Sequence, residues 1–457
     1  MKKKIYFIQP SYRDADGILL KGKRLYIVSL ALPALSAAVP EDWEKDCCYE
    51  YFSDVNFDTD ASVIGISSMG YEIFRGAEIA DIFRAKGKTV IFGGHQPRLS
   101  PGFAAEHCDS VICGNPGKKE IRRILDDILA GNLKPQYDCV PDLNYELDYS
   151  VIDPKRIFLM PVVTGVGCKN NCGYCCLASI FKGKYYLRRQ EHLLNELEYL
   201  SKRTHRIAFV DTNIYNNRVY LISLCKKMTE RKFSFIWGAQ CTIDIGDDPE
   251  ALSLLRKAGC RVLFIGLESV EQQNLDYVHK NVLVEKFPEQ IKKINDAGIK
   301  IAAFFIYGMD NDTINTAEEM ADFINRYDIS LPMINVLVPT PGSEVYQQLI
   351  SENRLSMQSE VDFLKNNVTY NSSFNICLYK PLHMSPQEVE DGFIDLLRRL
   401  SDYKLLFRRS KSDSIFLSLF LFYMNYLFRR EYLILRKRRA RKDRSESGPI
   451  RSDVAGQ

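Results

Sequence analysis

The chain has 457 residues, 46% hydrophobic and 26% charged, with mean hydropathy −0.20 and formal net charge +3. This balance supplies ample core, excludes general disorder and predicts about three domains. So small a net charge gives no ground for a nucleic-acid partner. The 13 cysteines, an odd number in a long chain, argue against a disulfide scaffold and for a reducing cytoplasm. The N-terminus MKKKIYFIQP starts basic, but its apolar run stops at Pro10, which predicts no signal peptide.

Residues 1–142 read as a doubly wound α/β domain. The runs 4–10, 62–67, 89–94 and 110–114 are mainly apolar or small, as strands buried on both faces are. Helical patterns lie between them. In 71–87, Ile73, Phe74, Ala77, Ala80 and Phe83 share a face and Gly87 is placed to end the helix; 118–131 repeats the pattern. Ligands of such sheets sit at the strands' carboxyl ends, here Ser67-Ser68, Gly93-Gly94-His95 and Gly114. Ordinary βα turns explain small residues there equally well. No G-x-G-x-x-G follows the first strand, which weighs against a dinucleotide. Residues 143–156 are polar, contain a proline and lack periodicity, so a linker is expected.

Residues 157–345 repeat strand and helix six times. The strands fall at 157–165, 206–211, 233–240, 261–268, 300–308 and 332–339, which predicts an open, partial (β/α)6 barrel. Its chemistry belongs at the strand carboxyl ends. The loop GVGCKNNCGYCC (165–176) follows the first strand and spaces Cys168, Cys172 and Cys175 as C-x3-C-x2-C. Asp211, Asn213, Glu268 and Ser269 end later strands. Structural zinc needs a fourth ligand, and adjacent Cys176 is poorly placed for it; a remote Cys241 or Cys260 would be required. Buried inert thiols explain one or two cysteines but not this spacing. An iron–sulfur cluster fits better, and three local thiolates would leave one iron of a four-iron cube open.

With Tyr174 before the last cysteine, this loop resembles that of the radical S-adenosylmethionine (SAM) superfamily. Later stretches agree in order: FVDTN (209–213), FIGLES (264–269), YGMDNDT (307–313) and VPTPGSEVY (338–346) resemble motifs of its cobalamin-binding branch. GGHQP (93–97) and CGNPG (113–117) resemble the glycine turns of the cobalamin domain. Residues 379–400 resemble the C-terminal extension of relatives such as hopanoid methylases; the anaerobic magnesium-protoporphyrin ester cyclase shares the architecture. The resemblance implies a Rossmann-like cobalamin-binding domain, a radical SAM barrel and a mainly helical extension over 346–457. It implies a [4Fe–4S] cluster on Cys168, Cys172 and Cys175, and SAM near Tyr174, Asp211, Asn213, Glu268 and Ser269. Cobalamin would lie against Ser67, Ser68, Gly93, Gly94, His95 and Gly114.

The implied chemistry is methylation of an unactivated carbon through a 5′-deoxyadenosyl radical. The alternatives are a non-methylating radical oxidoreductase or cyclase, and a non-catalytic iron–sulfur or cobalamin sensor. The expected partners are a small-molecule substrate, lipid-like or tetrapyrrole, and a reductant such as flavodoxin or ferredoxin. The sequence departs from the family in three places. It lacks D-x-H-x-x-G, so no histidine is expected beneath cobalt; Gly114 is followed by Asn115 rather than an acid; and Val166 replaces a common arginine.

SIFLSLFLFYMNYLF (414–428) is apolar at twelve of fifteen positions, and Ser414, Ser418 and Asn425 fall on one helical stripe. Fifteen helical residues span roughly 22 Å, short of a ~30 Å hydrocarbon core. Arg429-Arg430-Glu431 is expected to interrupt the run, and a basic segment follows at 436–444. Either the helix packs on the protein, or 414–444 makes peripheral contact with the inner face of the membrane.

Overall fold

The computed structural model describes residues 2–14, 16–356 and 376–446. Residues 357–375 and 447–457 of the expected extension, and the side chains of Arg438 and 440–444 in its basic run, lie outside the described residues.

The first sheet has six parallel strands: β1 (Lys4–Gln9), β2 (Glu44–Tyr49), β3 (Val63–Ser68), β4 (Thr89–Gly94), β5 (Ser110–Gly114) and β6 (Gln136–Cys139). Their order is 2-1-3-4-5-6. Helices cover both faces. Leu32 and Ile121 pack with Ile5 and Phe7 on one side. Ile73, Phe83 and Ala104 pack with Ile8 and Ile64 on the other. The order reverses between β1 and β3, which places a ligand crevice at their carboxyl ends. Strands β2 and β6 and the helix Ala31–Ala38 were not expected from sequence. Both strands lie at sheet edges, and EKDCCY and QYDC are buried only in part, so neither shows the two-sided apolar run of a central strand.

Residues 143–156 are polar in composition yet bury Tyr145, Leu147, Tyr149 and Ile152. A buried ion pair ties this stretch to the barrel. Arg188 donates from Nη1 to Glu196 Oε2 (3.1 Å) and to the Val163 carbonyl (3.1 Å), from Nη2 to the Tyr145 carbonyl (2.8 Å), and from Nε to the Leu143 carbonyl (2.9 Å).

The second sheet is also all parallel: β7 (Met160–Val162), β10 (Arg206–Phe209), β11 (Ile236–Cys241), β12 (Cys260–Glu268), β13 (Lys300–Tyr307) and β14 (Leu331–Val336) lie in that order. The first strand is much shorter than the expected 157–165. Thr164 and Gly165 turn their N–H groups to the Asp211 carboxylate (3.0 Å each) instead of a neighbouring strand. The chain then leaves the sheet as β8 (Gly165–Gly167), which pairs antiparallel with β9 (Tyr185–Leu187). This break starts the cysteine loop.

The extension contains helices at Pro386–Leu400, Tyr403–Arg409 and Ile415–Glu446. The last is continuous, so Arg429-Arg430-Glu431 does not interrupt it: Arg429 lies 4.2 Å above the Tyr403 ring and donates to the Ser401 carbonyl. Its polar stripe faces the protein. Asn425 Nδ2 donates to the Ser330 carbonyl (2.9 Å), and Ser418 Oγ accepts from the Ser412 N–H (2.9 Å). Leu421 packs on Ala302 and Leu331, and Phe420 stacks on Phe158 and Tyr26. The helix thus closes the barrel at the strands' amino ends. Among the described residues no helix is long and apolar enough to cross a membrane.

Candidate active site

The cysteine loop is held from several sides. Asp211 is fully buried and also accepts from Thr164 Oγ1 and Tyr185 OH (3.1 Å). Thr212 Oγ1 donates to the Gly167 carbonyl. Gly173 N–H donates to the Val278 carbonyl (2.8 Å), and the Gly173 carbonyl accepts from Val345 N–H (3.0 Å). Asp211 therefore acts on the loop's backbone, with its oxygens already engaged there.

The three thiols are free and wholly or half buried. Asn170 N–H points to Cys168 Sγ (3.4 Å), and backbone N–H groups of Leu177 and Ala178 point to Cys175. Such donors suit thiolates. Burial pushes the Cys172 and Cys175 thiols up, and a bound metal removes that penalty by taking the deprotonated form. Among the described residues no three ligating side chains converge as they would on a single ion. A four-iron cube gives each thiolate its own corner, so the donor set fits a cluster better than zinc. Cys241 and Cys260, the remote candidates for a fourth zinc ligand, are buried in the apolar core.

Inside the barrel, Glu268 Oε1 accepts from Tyr174 OH (2.8 Å) and from Lys280 Nζ (2.9 Å). Two backbone features aim this carboxylate. The β12–β13 register shifts between Gly266 and Glu268, and Glu268 itself has φ +67°. Such strained, bulged positions re-aim side chains at functional sites. Gly266 makes the room: a Cβ there would collide with Glu268 and Lys280. Lys280 is buried; Glu268 and Cys172 favour its charged form against desolvation. Sequence reasoning missed Lys280, which lies in a loop with no motif; only the burial of its partner reveals it.

Asn213 accepts from Tyr215 N–H (3.0 Å) and donates to Thr242 Oγ1 (3.2 Å). It lines a polar pocket of about 180 Å³ with Cys172, Asn216, Thr242, His279 and Lys280. Asn216 Nδ2 is buried in its wall without a partner, a donor open to a ligand. Ser269 is elsewhere engaged: its Oγ accepts from Glu271 N–H (3.0 Å) and Asn274 Nδ2 (3.2 Å). Tyr174, Glu268 and Asn213 are therefore brought to the loop, while Asp211 and Ser269 are engaged by neighbouring backbone and side-chain donors.

A largely apolar cavity of about 240 Å³ separates the two sheets' carboxyl ends. Ser67, Gly93, Gly94, His95 and Gly114 line it from the first sheet; Val163, Gly165, Gly167, Val210 and Thr212 line it from the barrel. Ser68 does not. The pleat turns it to the other face, where its Oγ is buried without a partner. His95 lines the cavity and is exposed there; desolvation by the surrounding protein, with the Arg98 charge, lowers its pKa. Gly94 (φ +111°) and Gly114 (φ +120°) bring backbone to the cavity wall, where a Cβ would strike the Ser68 and Cys139 carbonyls. Gly94→Ala is expected to destabilise by about 1–3 kcal/mol in urea unfolding. Gly102→Ala, in a helix where a Cβ meets nothing within 4 Å, is expected to match or exceed the parent. Equal midpoints for the two variants would contradict this view of the crevice.

Residues 162–324 match the radical SAM superfamily. The chain is 29% identical to the bacteriochlorophyllide d C-8(2)-methyltransferase of Chlorobaculum tepidum, over 70% of this chain and 75% of that protein. It is 23% identical to the bacteriochlorophyllide d C-12(1)-methyltransferase of the same organism, over 94% and 93%. The structure of the radical SAM methyltransferase TsrM from Kitasatospora setae, with cobalamin and a [4Fe-4S] cluster bound, superposes with TM-score 0.70 at 14% identity, covering 97% of this chain and all of that one. The two-sheet architecture is thus that of cobalamin-binding radical SAM enzymes.

Proposed function

From a radical SAM domain joined to this crevice, we propose a cobalamin-dependent radical SAM methyltransferase acting at an unactivated carbon of a tetrapyrrole or lipid-like molecule. One observation carries the reading: Gly165 and Gly167, which lead into the cysteines, and the glycine-lined crevice of the other sheet border one cavity. When bound, the cluster and SAM supply an electron and a carbon-centred radical, and cobalamin a transferable methyl group.

The chain's own residues prepare that site. Cys168, Cys172 and Cys175 would hold the cluster. Lys280 and Tyr174 donate to Glu268 and fix its orientation as an acceptor for SAM's hydroxyls or ammonium. Asn213 and the unpartnered Asn216 donor supply polar contacts beside the loop. Gly93, Gly94 and Gly114, with Ser67 beside them, would hold cobalamin against the backbone of the first sheet. His95 serves as a polar contact and not as a cobalt ligand. The apolar walls exclude water from the reacting carbon.

Two bacteriochlorophyllide methyltransferases among the relatives support the tetrapyrrole class. Exposed Lys169, Lys182 and Lys184 around the cluster loop suit an acidic reductant such as flavodoxin or ferredoxin. The enzyme would work in the cytoplasm, at the inner face of the membrane.

Anaerobic reconstitution with trideuteromethyl SAM and extracted tetrapyrroles and lipids tests the reaction. A product bearing the label is expected. An unlabelled oxidised or cyclised product would instead identify the cyclase chemistry, and an absence of any turnover-dependent product the sensor. Lys280→Met is expected to weaken SAM binding at least tenfold, by equilibrium dialysis, and Lys280→Arg to restore part of it.

A further inference from the structure

The C-terminal helix buries one face and leaves another bare. Phe416 is 81% exposed, Ile415 68%, Leu419 61%, Tyr423 58% and Tyr426 41%. Steps of three and four residues place 416, 419, 423 and 426 on one side of the helix. The same stripe runs on through exposed Arg430 to Lys437, with Arg436 beside it. These three cations have no carboxylate partner among the described residues. The acids nearby are engaged or shielded: Asp413 pairs with Arg256, and Glu431 is half-buried. An apolar row of this size is unusual on an unpartnered surface.

We propose that this face seats in the surface of an anionic bilayer, the apolar residues at the acyl boundary and Arg430, Arg436 and Lys437 among the head groups. Charge decides between this occupant and a second copy of the chain. Parallel pairing of two such helices stacks cation on cation, and antiparallel pairing sets the cations against the partner's apolar row; neither supplies a carboxylate. A bilayer satisfies both halves at once. The row from Ile415 to Tyr426 spans roughly 16 Å, so the helix lies along the interface and does not cross it.

The helix packs at the amino ends of the barrel strands, and the cysteine loop stands at their carboxyl ends. Docking therefore holds the enzyme where apolar substrates partition, with the cysteine loop at the far ends of the barrel strands. This docking face rests on the membrane location proposed above, yet its test is independent of the reaction.

Full-length Tyr423→Trp reports the contact, because Trp43 and Trp237 are both buried. With phosphatidylglycerol-containing vesicles its added emission is expected to shift to the blue and to be quenched by brominated acyl chains. Phosphatidylcholine vesicles alone, or high salt, should weaken binding at least about tenfold. Phe416→Asp/Leu419→Asp should abolish co-sedimentation, and Arg430→Glu/Arg436→Glu/Lys437→Glu should weaken it at least about tenfold. Both variants are to keep the parent's near-UV circular dichroism. Undiminished vesicle binding by folded variants would overturn the proposal. So would a wild-type dimer that ignores vesicles and is split by Phe416→Asp/Leu419→Asp, which would make the face a contact between copies.

Discussion

Alanine at Cys168, Cys172 and Cys175 together leaves the anaerobically reconstituted protein without iron, whereas the parent retains about four irons per chain. The expectation rests on the loop's construction. The break after β7, the Asp211 carboxylate and the Gly173 hydrogen bonds fix the backbone without help from any thiol, so the triple variant should fold. The Asn170 N–H aimed at Cys168 Sγ and the backbone N–H groups near Cys175 favour thiolates. Cys176 opens the short helix Cys176–Phe181, and Cys176→Ala is expected to keep the full iron content. Iron and sulfide analysis with circular dichroism decides it. Full iron in the triple variant would remove the cluster from this loop.

Arg188→Ala is expected to lose about 3–5 kcal/mol of stability, read from urea midpoints. The change strips a buried carboxylate of its cation: Glu196 would keep only the Leu147 N–H (2.6 Å). It also leaves the carbonyls of Leu143, Tyr145 and Val163 without the donors that reach them now. Those carbonyls belong to residues 143–147 and to the turn after β7, so the damage falls where the two sheets are joined. Arg188→Met/Glu196→Leu should recover part of the loss, because no charge then remains buried, although the carbonyls stay unmet. A single-variant loss under about 1 kcal/mol would show that Glu196 reaches water and that the junction is looser than described.

Much of this architecture could be read from the sequence because its central strands are buried on both faces. VIGISS and TVIFGG betray themselves by unbroken small and apolar residues. EKDCCY and QYDC do not, since an edge strand spends half its residues on solvent. The break of the first barrel strand at Val162 was not legible either. It depends on Asp211, 47 residues from Thr164, taking over backbone donors that a continuous strand would have used. The cysteine spacing pointed to a cluster, but the pairing of Glu268 with Lys280 is a tertiary event that no motif marks, accompanied by φ +67° and a register shift. The C-terminal helix shows the same limit. Its polar stripe was visible, but the stripe turned inward because Ser330 offers Asn425 an acceptor at the barrel's floor, leaving the apolar face outside.

The most direct test of the central claim, a cluster with one iron open to SAM, is the electron paramagnetic resonance spectrum of the reduced, reconstituted protein before and after SAM is added. A reduced [4Fe–4S] signal is expected that SAM shifts in the parent, and that shifts less in Lys280→Met at the same SAM concentration. A cluster signal that SAM leaves unchanged at saturating concentration would contradict it.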